Sequence, residues 1–338
     1  MSDAVGRFRG ADARARFMRA FDRAMETWPA RVDHQVETSY GTTVVSASRT
    51  RRATIPALLL PGGGSTIASW GPFVSAWESE RQIFAVDTIW DAGRSVQTKP
   101  LPTGAEVASW LEQTLDGLGI EKVHLVGFSY GGWAALNQLV RFPSRLQSVT
   151  ALDPPGSLAP IPLGTWARML AMLLGDEERY RSYLAWVRGG KLPESTTLDL
   201  LIASRREFVQ AGTPRPQRIA PSEWAAFDSR VAVLLGGKSR FVPRRAEATL
   251  RRRAPESEVK RFPNASHALL VDEAEAITQY VNTFMRDRDA LQTLLLIAIT
   301  FAKPTPCHRC SRILGPGCSS RGRRASRSGA LRRPCSPP

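Results

Sequence analysis

Short apolar or β-prone runs recur along the chain, at residues 55–60, 83–86, 122–126, 146–152 and 231–235, and a further strand candidate lies at 258–262. Most lack polar alternation, so they predict strands buried on both faces. Stretches with helical spacing lie between them, at about 104–118, 133–141, 244–253 and 272–287. Strand-helix alternation of this kind predicts an α/β fold, a mostly parallel sheet with helices on both faces. Upstream, Phe17, Phe21, Ala24, Met25 and Trp28 fall on one helical stripe that Pro29 stops. This predicts a helix over residues 10–28 packed on the domain. Residues 42–47 predict a further strand.

Residues 157–228 break the alternation. They are rich in Leu, Met, Trp and Arg, with helical stretches near 164–174, 176–188 and 195–210. The expected organisation is an N-terminal helix (1–30), a core in two pieces (31–156 and 229–290), a helical cap inserted between them (157–228), and a basic tail (291–338).

Charge changes this picture only at the end. The chain has 338 residues and a net charge of +15. From Lys303 onward there are nine Lys or Arg and no acid, which leaves +6 on residues 1–302. All four cysteines also lie there (Cys307, Cys310, Cys318, Cys335), so no disulfide framework is expected in the fold. The composition of the tail, rich in Arg, Ser, Pro and Gly, predicts disorder, because too little apolar surface is available to offset ordering entropy. Its arginines would meet phosphates without sequence preference, and no specific nucleic-acid partner is expected. The N-terminus reads as charged rather than as a secretory signal. The longest apolar run, residues 294–302, is shorter than the ~18–20 residues of a membrane helix. The expectation is a cytoplasmic protein with no membrane partner.

Candidate chemistry centres on Gly127-Phe128-Ser129-Tyr130-Gly131, a Gly-x-Ser-x-Gly motif with a β-prone run before it and a helical run after it. That context reads as a nucleophile elbow. The serine sits at a sharp turn whose neighbours must be small, and the helix N-terminus favours negative charge nearby. Gly237-Lys238-Ser239 fails as a phosphate loop, because Ala232 stands where its first glycine belongs. Cys307-x-x-Cys310 lacks a second pair at zinc spacing. No metal and no cofactor is expected.

With these motifs in place, the chain resembles the α/β-hydrolase superfamily over about residues 40–288, and looks closest to bacterial esterase-like hydrolases. The residues that carry the resemblance are Leu60-Pro61-Gly62-Gly63-Gly64-Ser65, the stretch from Ala85 to Ser95, the elbow, Leu152-Asp153-Pro154 and Asn264-Ala265-Ser266-His267. The resemblance implies a serine nucleophile at Ser129, a base at His267, and an oxyanion hole from the backbone of Tyr130 and Gly63. Pro61 stands where the family usually has histidine. The family's commonest acid position, after residues 231–235, holds no Asp or Glu. Asp153, 24 residues beyond the serine, is the substitute that some superfamily members use. It is equally read as a turn starter before Pro-Pro. The implied partner is a small acyl substrate, cleaved through an acyl-enzyme. A degenerate member that binds a small ligand or a protein partner without turnover is the alternative, favoured by the missing acid and by Pro61. Asp87, Asp91 and Arg94 read as loop-ordering residues, and Trp166, Trp186 and Trp224 as pocket lining or cap core. Oligomeric state is not legible.

Overall fold

The structure is a computed structural model that describes residues 5–301 except 51, 211 and 212. The chain divides into two units, Met1–Thr293 and Leu294–Pro338. The tail expectations, including Cys307-x-x-Cys310, lie outside the described residues.

Eight main strands, numbered along the chain, form one sheet: β1 (Arg31–Thr38), β2 (Gly41–Ser48), β3 (Ala57–Leu60), β4 (Ile83–Asp87), β5 (Val123–Phe128), β6 (Leu146–Leu152), β7 (Val231–Gly236) and β8 (Glu258–Phe262). Their spatial order is β1-β2-β4-β3-β5-β6-β7-β8. The pairs from β4 through β8 are parallel, and β1-β2 and β2-β4 are antiparallel. A two-residue strand, Val96–Gln97, pairs with β2.

Side-chain alternation along buried strands feeds two cores. Leu58 and Leu60 of β3 face one layer with Trp90, Trp110 and Trp133. Ala57 and Leu59 face the other, with Trp70, Phe73, Trp77, Val281 and Phe284. Burying each such Leu contributes about 1.5–3 kcal/mol. This two-sided burial is why the strands read as continuous apolar runs. β1 does not read that way. Its Arg-Val-Asp-His-Gln-Val-Glu-Thr sequence is largely solvated at an antiparallel edge. His34 lies within it.

Between β6 and β7 the chain inserts three helices, Leu163–Leu173, Glu177–Val187 and Ser195–Glu207. The third ends three residues earlier than its spacing predicts, because Phe208–Val209 is extended and pairs antiparallel with Arg7–Phe8. The N-terminal helix Ala11–Ala24 grips the same place. Phe17 and Phe21 share a core with Leu200 and Phe208, and Arg16 donates to both oxygens of Glu207, at 2.9 and 2.7 Å. The final helix, Ala274–Phe301, runs well past its expected end near residue 287.

The sheet order places β3 beside both β4 and β5. The chain leaves β3 toward one edge and returns past it to reach β5. The crevice beyond the carboxyl ends of β3 and β5 is therefore a topological switch point, where open α/β sheets bind ligands.

Candidate active site

Ser129 follows β5 and precedes the helix Tyr130–Arg141. Its backbone lies at φ 53, ψ −117, a strained conformation for a non-glycine residue that costs of order 1–3 kcal/mol. Two backbone bonds hold it there: its N–H donates to Leu152 O (2.8 Å) and its carbonyl accepts the Trp133 N–H (3.0 Å). The flanking glycines are required by space. A Cβ on Gly127 would lie 2.1 Å from Gly131 O, and one on Gly131 2.3 Å from Leu60 O. Strand, turn and helix therefore touch backbone to backbone.

His267 lies 138 residues away in sequence, yet its Nε2 is 2.9 Å from Ser129 Oγ. It follows β8 in a short loop that Asp272 fastens. The Asp272 carboxylate accepts the Ser266 N–H (2.7 Å) and hydroxyl (2.5 Å), and the Ala268 N–H donates to Ser266 Oγ (3.1 Å). The imidazole packs against Phe241, with ring centroids 4.2 Å apart and planes 30° apart, and against Phe128 at 5.4 Å. The residue is buried, 6% exposed.

Asp153 is fully buried just beyond β6, and its φ is 47. The Asp153 N–H donates to Leu234 O at 2.8 Å. Its Oδ2 is 2.5 Å from His267 Nδ1 and accepts the Ser239 hydroxyl at 2.5 Å, while Oδ1 accepts the Gly236 N–H at 3.0 Å. Asp153 thus both turns the chain and meets the imidazole. Ser239 is a residue that the sequence reading missed. It stands in the loop after β7, which has no acid of its own, and reaches across to the carboxylate of β6. Its only sequence signal is its place in that loop.

The glycine loop after β3 lies alongside. A Cβ on Gly62 would sit 3.3 Å from Ser129 Cβ, and one on Gly63 3.4 Å from Tyr130 Cβ. The Tyr130 N–H opens its helix and so lacks an intrahelical acceptor. The Tyr130 hydroxyl donates to Pro214 O of the cap connection at 2.9 Å, and burial pushes its phenol pKa up. Pro61 fits a loop that turns at Gly62, where the Ser65 N–H donates to Gly62 O at 3.0 Å.

Asp87 and Arg94 order the neighbouring loop. Arg94 donates to Asp87 (2.7 Å), Asp33 (2.7 Å) and Ser46 (2.8 Å). Burial raises the Asp87 pKa, against the pull of Arg94. Of the three cap tryptophans, Trp186 touches Phe241, which itself stacks on His267. Trp224 pairs with Phe227, and Trp166 lies beneath Arg215. Among the described residues, no three His, Cys, Asp or Glu side chains converge as metal ligands, and no helix is long and apolar enough to cross a membrane.

A mostly parallel sheet, a serine at a strained strand-to-helix elbow, and an imidazole returned to it from the last loop define a protein of the α/β-hydrolase class. The chain belongs to the alpha/beta hydrolase family, whose profile matches residues 57–279. It is 27% identical over 290 residues to carboxylesterase YbfK of Bacillus subtilis (strain 168), covering 82% of this chain and 96% of that one. It is 25% identical over 268 residues to 2-hydroxymuconate semialdehyde hydrolase of Pseudomonas putida, covering 70% and 89%. The crystal structure of naproxen esterase from Bacillus subtilis superposes with a TM-score of 0.74 at 24% identity, covering 81% of this chain and 99% of that one.

Proposed function

We propose that the protein is a serine esterase that cleaves small acyl substrates through an acyl-enzyme at Ser129. The observation that carries this reading is the continuous relay Ser129 Oγ–His267 Nε2 (2.9 Å) and His267 Nδ1–Asp153 Oδ2 (2.5 Å). A serine hydroxyl is a poor nucleophile until an adjacent base takes its proton. His267 accepts it at Nε2 as Ser129 Oγ bonds to the acyl carbon. Asp153 holds the opposite ring nitrogen, fixing the tautomer and stabilising the imidazolium. The carbonyl oxygen becomes an oxyanion, held by the Tyr130 and Gly63 N–H groups. The carbon–oxygen bond to the leaving alkoxide breaks, and the proton passes from His267 to that oxygen. Water then repeats the sequence, giving up its proton to His267 and releasing the acid.

The likeness to carboxylesterase YbfK along nearly the whole of that relative supports ester substrates. Phe241 and Trp186, running from His267 toward the cap, support a compact apolar acyl or alcohol group. The alternative of a binder without turnover drew on the absent acid and on Pro61; the 2.5 Å approach of Asp153 Oδ2 to His267 Nδ1 weighs against the first of these.

The test is turnover of a panel of p-nitrophenyl esters of increasing acyl length by wild type and Ser129→Ala. The reading expects turnover that the substitution abolishes. Equal rates in the two proteins would overturn it.

A further inference from the structure

One buried carboxylate near the site has no role in the chemistry above. Asp91 is 3% exposed and lies in the loop after β4. Its Oδ1 accepts two donors, the Gly64 N–H at 3.1 Å and the Gln210 side-chain amide at 2.5 Å. Its Oδ2 accepts the Thr88 hydroxyl at 3.3 Å. One side chain thus joins its own loop, the glycine loop and the chain just beyond the third cap helix.

The Gly64 N–H belongs to the peptide plane that follows Gly63. Gly64 itself has φ +72, and neither residue carries a Cβ to limit its rotation. Nothing in the side chains of this loop fixes where the Gly63 N–H points. An outside anchor on the next peptide plane restrains it, because that plane is joined to the Gly63 N–H only through the two torsion angles at the Gly63 Cα. We propose that Asp91 is a positioning residue: by holding the Gly64 N–H it aims the Gly63 N–H at the developing oxyanion, and through Gln210 it ties that aim to the cap. This rests on the Ser129 reading and deepens it.

All three partners donate to Asp91, the arrangement that suits an ionised, acceptor-only carboxylate. None of them is a cation. The titratable groups that feel its charge are Tyr130 on the elbow helix and Tyr180 on the second cap helix; burial pushes both phenols up, Tyr180 to about 12, and keeps them neutral. With burial raising it and the Gly64, Thr88 and Gln210 bonds lowering it, Asp91 titrates at about 7. The anchor is therefore complete above that pH and weakened by protonation below it.

The experiment uses the full chain. The kcat and KM of p-nitrophenyl acetate hydrolysis are measured from about pH 5 to pH 9 for wild type, Asp91→Ala, Asp91→Asn and Gln210→Ala. Fluorophosphonate labelling of Ser129 and thermal unfolding run beside them. Asp91→Ala is expected to lower kcat about 10–100-fold, below the loss of a whole oxyanion donor, with KM changed less than about threefold. Asp91→Asn keeps an oxygen for the Gly64 N–H, so it should recover most of kcat while its acid limb loses one ionisation near pH 7. Gln210→Ala should lower kcat several-fold. A folded Asp91→Ala with wild-type kcat, or an Asp91→Asn acid limb identical to wild type, would overturn the proposal. If Asp91→Ala does not fold, the Asp91→Asn limb decides. Wild type that neither turns over esters nor takes the label sinks the Ser129 reading itself, a result distinct from labelled wild type with indifferent Asp91 variants.

Discussion

The same two strands carry a Ser-His-Asp relay at each end. Beyond the carboxyl ends of β5 and β6 lie Ser129 and Asp153, joined by His267. At their amino ends lie His124 and Ser148, with Ser148 Oγ 2.7 Å from His124 Nδ1 and Asp289 Oδ1 3.0 Å from His124 Nε2. The residue types match, and almost nothing else does. Ser129 is partly exposed on a strained turn at a helix N-terminus, whereas Ser148 sits inside β6, beside a register shift, and is 1% exposed. The ring roles are reversed: His267 offers Nε2 to serine, His124 offers Nδ1. Among the described residues Asp153 meets neutral donors and the imidazole, whereas Asp289 is also paired to buried Arg81 at 3.0 Å. Side-chain identity is therefore not what separates the two ends. Access and a strained turn at a helix N-terminus are, and of the two only the carboxyl end has them.

The comparison breaks most sharply at the serines. Ser129→Ala should reduce ester kcat/KM by about 10⁴–10⁶, while Ser148→Ala leaves it within about twofold, because a buried strand hydroxyl touches no substrate. Comparable losses in both would erase the distinction between the two ends. Next come the acids. Asp153→Asn should lower kcat about 10⁴-fold through the wrong imidazole tautomer. Asp289→Asn should leave turnover intact and shift unfolding by about 1–3 kcal/mol, read by denaturant titration. Ser239→Ala removes one of three donors to Asp153, so a kcat loss of about tenfold or less is expected in steady-state assays.

The smallest effect concerns pH. Burial lowers the His124 pKa below its ordinary 6.5, against the opposing pull of Asp289. An unfolded His124 binds a proton that the folded one refuses. Stability from this site is therefore complete above about pH 6.5 and declines as pH falls below it. His124→Asn should flatten that slope in chemical denaturation, and an unchanged slope would contradict the assignment.

How much of this was legible in the sequence follows from the same physics. β3, β4, β6 and β7 are covered on both faces, so their apolar runs announce them. β1 is an edge strand with a wet face, and its mixed residues resemble a connection. Gly127, Ser129 and Gly131 were legible because backbone contact forbids larger neighbours. His267 was singled out by the resemblance, through Asn264-Ala265-Ser266-His267. Asp153 stayed ambiguous because one residue serves both a turn and a partner. Ser239, Asp91 and Gln210 were opaque as partners: their contacts span 86, 27 and 119 residues, and no local pattern encodes a hydrogen bond of that reach. The distal His124 relay was hidden for the same reason, since Asp289 lies 165 residues from it.

The most direct test is to trap the nucleophile. Folded wild-type protein is incubated with a fluorophosphonate, and its intact mass and peptide map are read by mass spectrometry, with His267→Ala in parallel. The account predicts one adduct per chain, on the peptide holding Ser129, and strongly slowed labelling in the His267 variant. An unmodified Ser129 in folded protein, or labelling that proceeds equally without the imidazole, would contradict it.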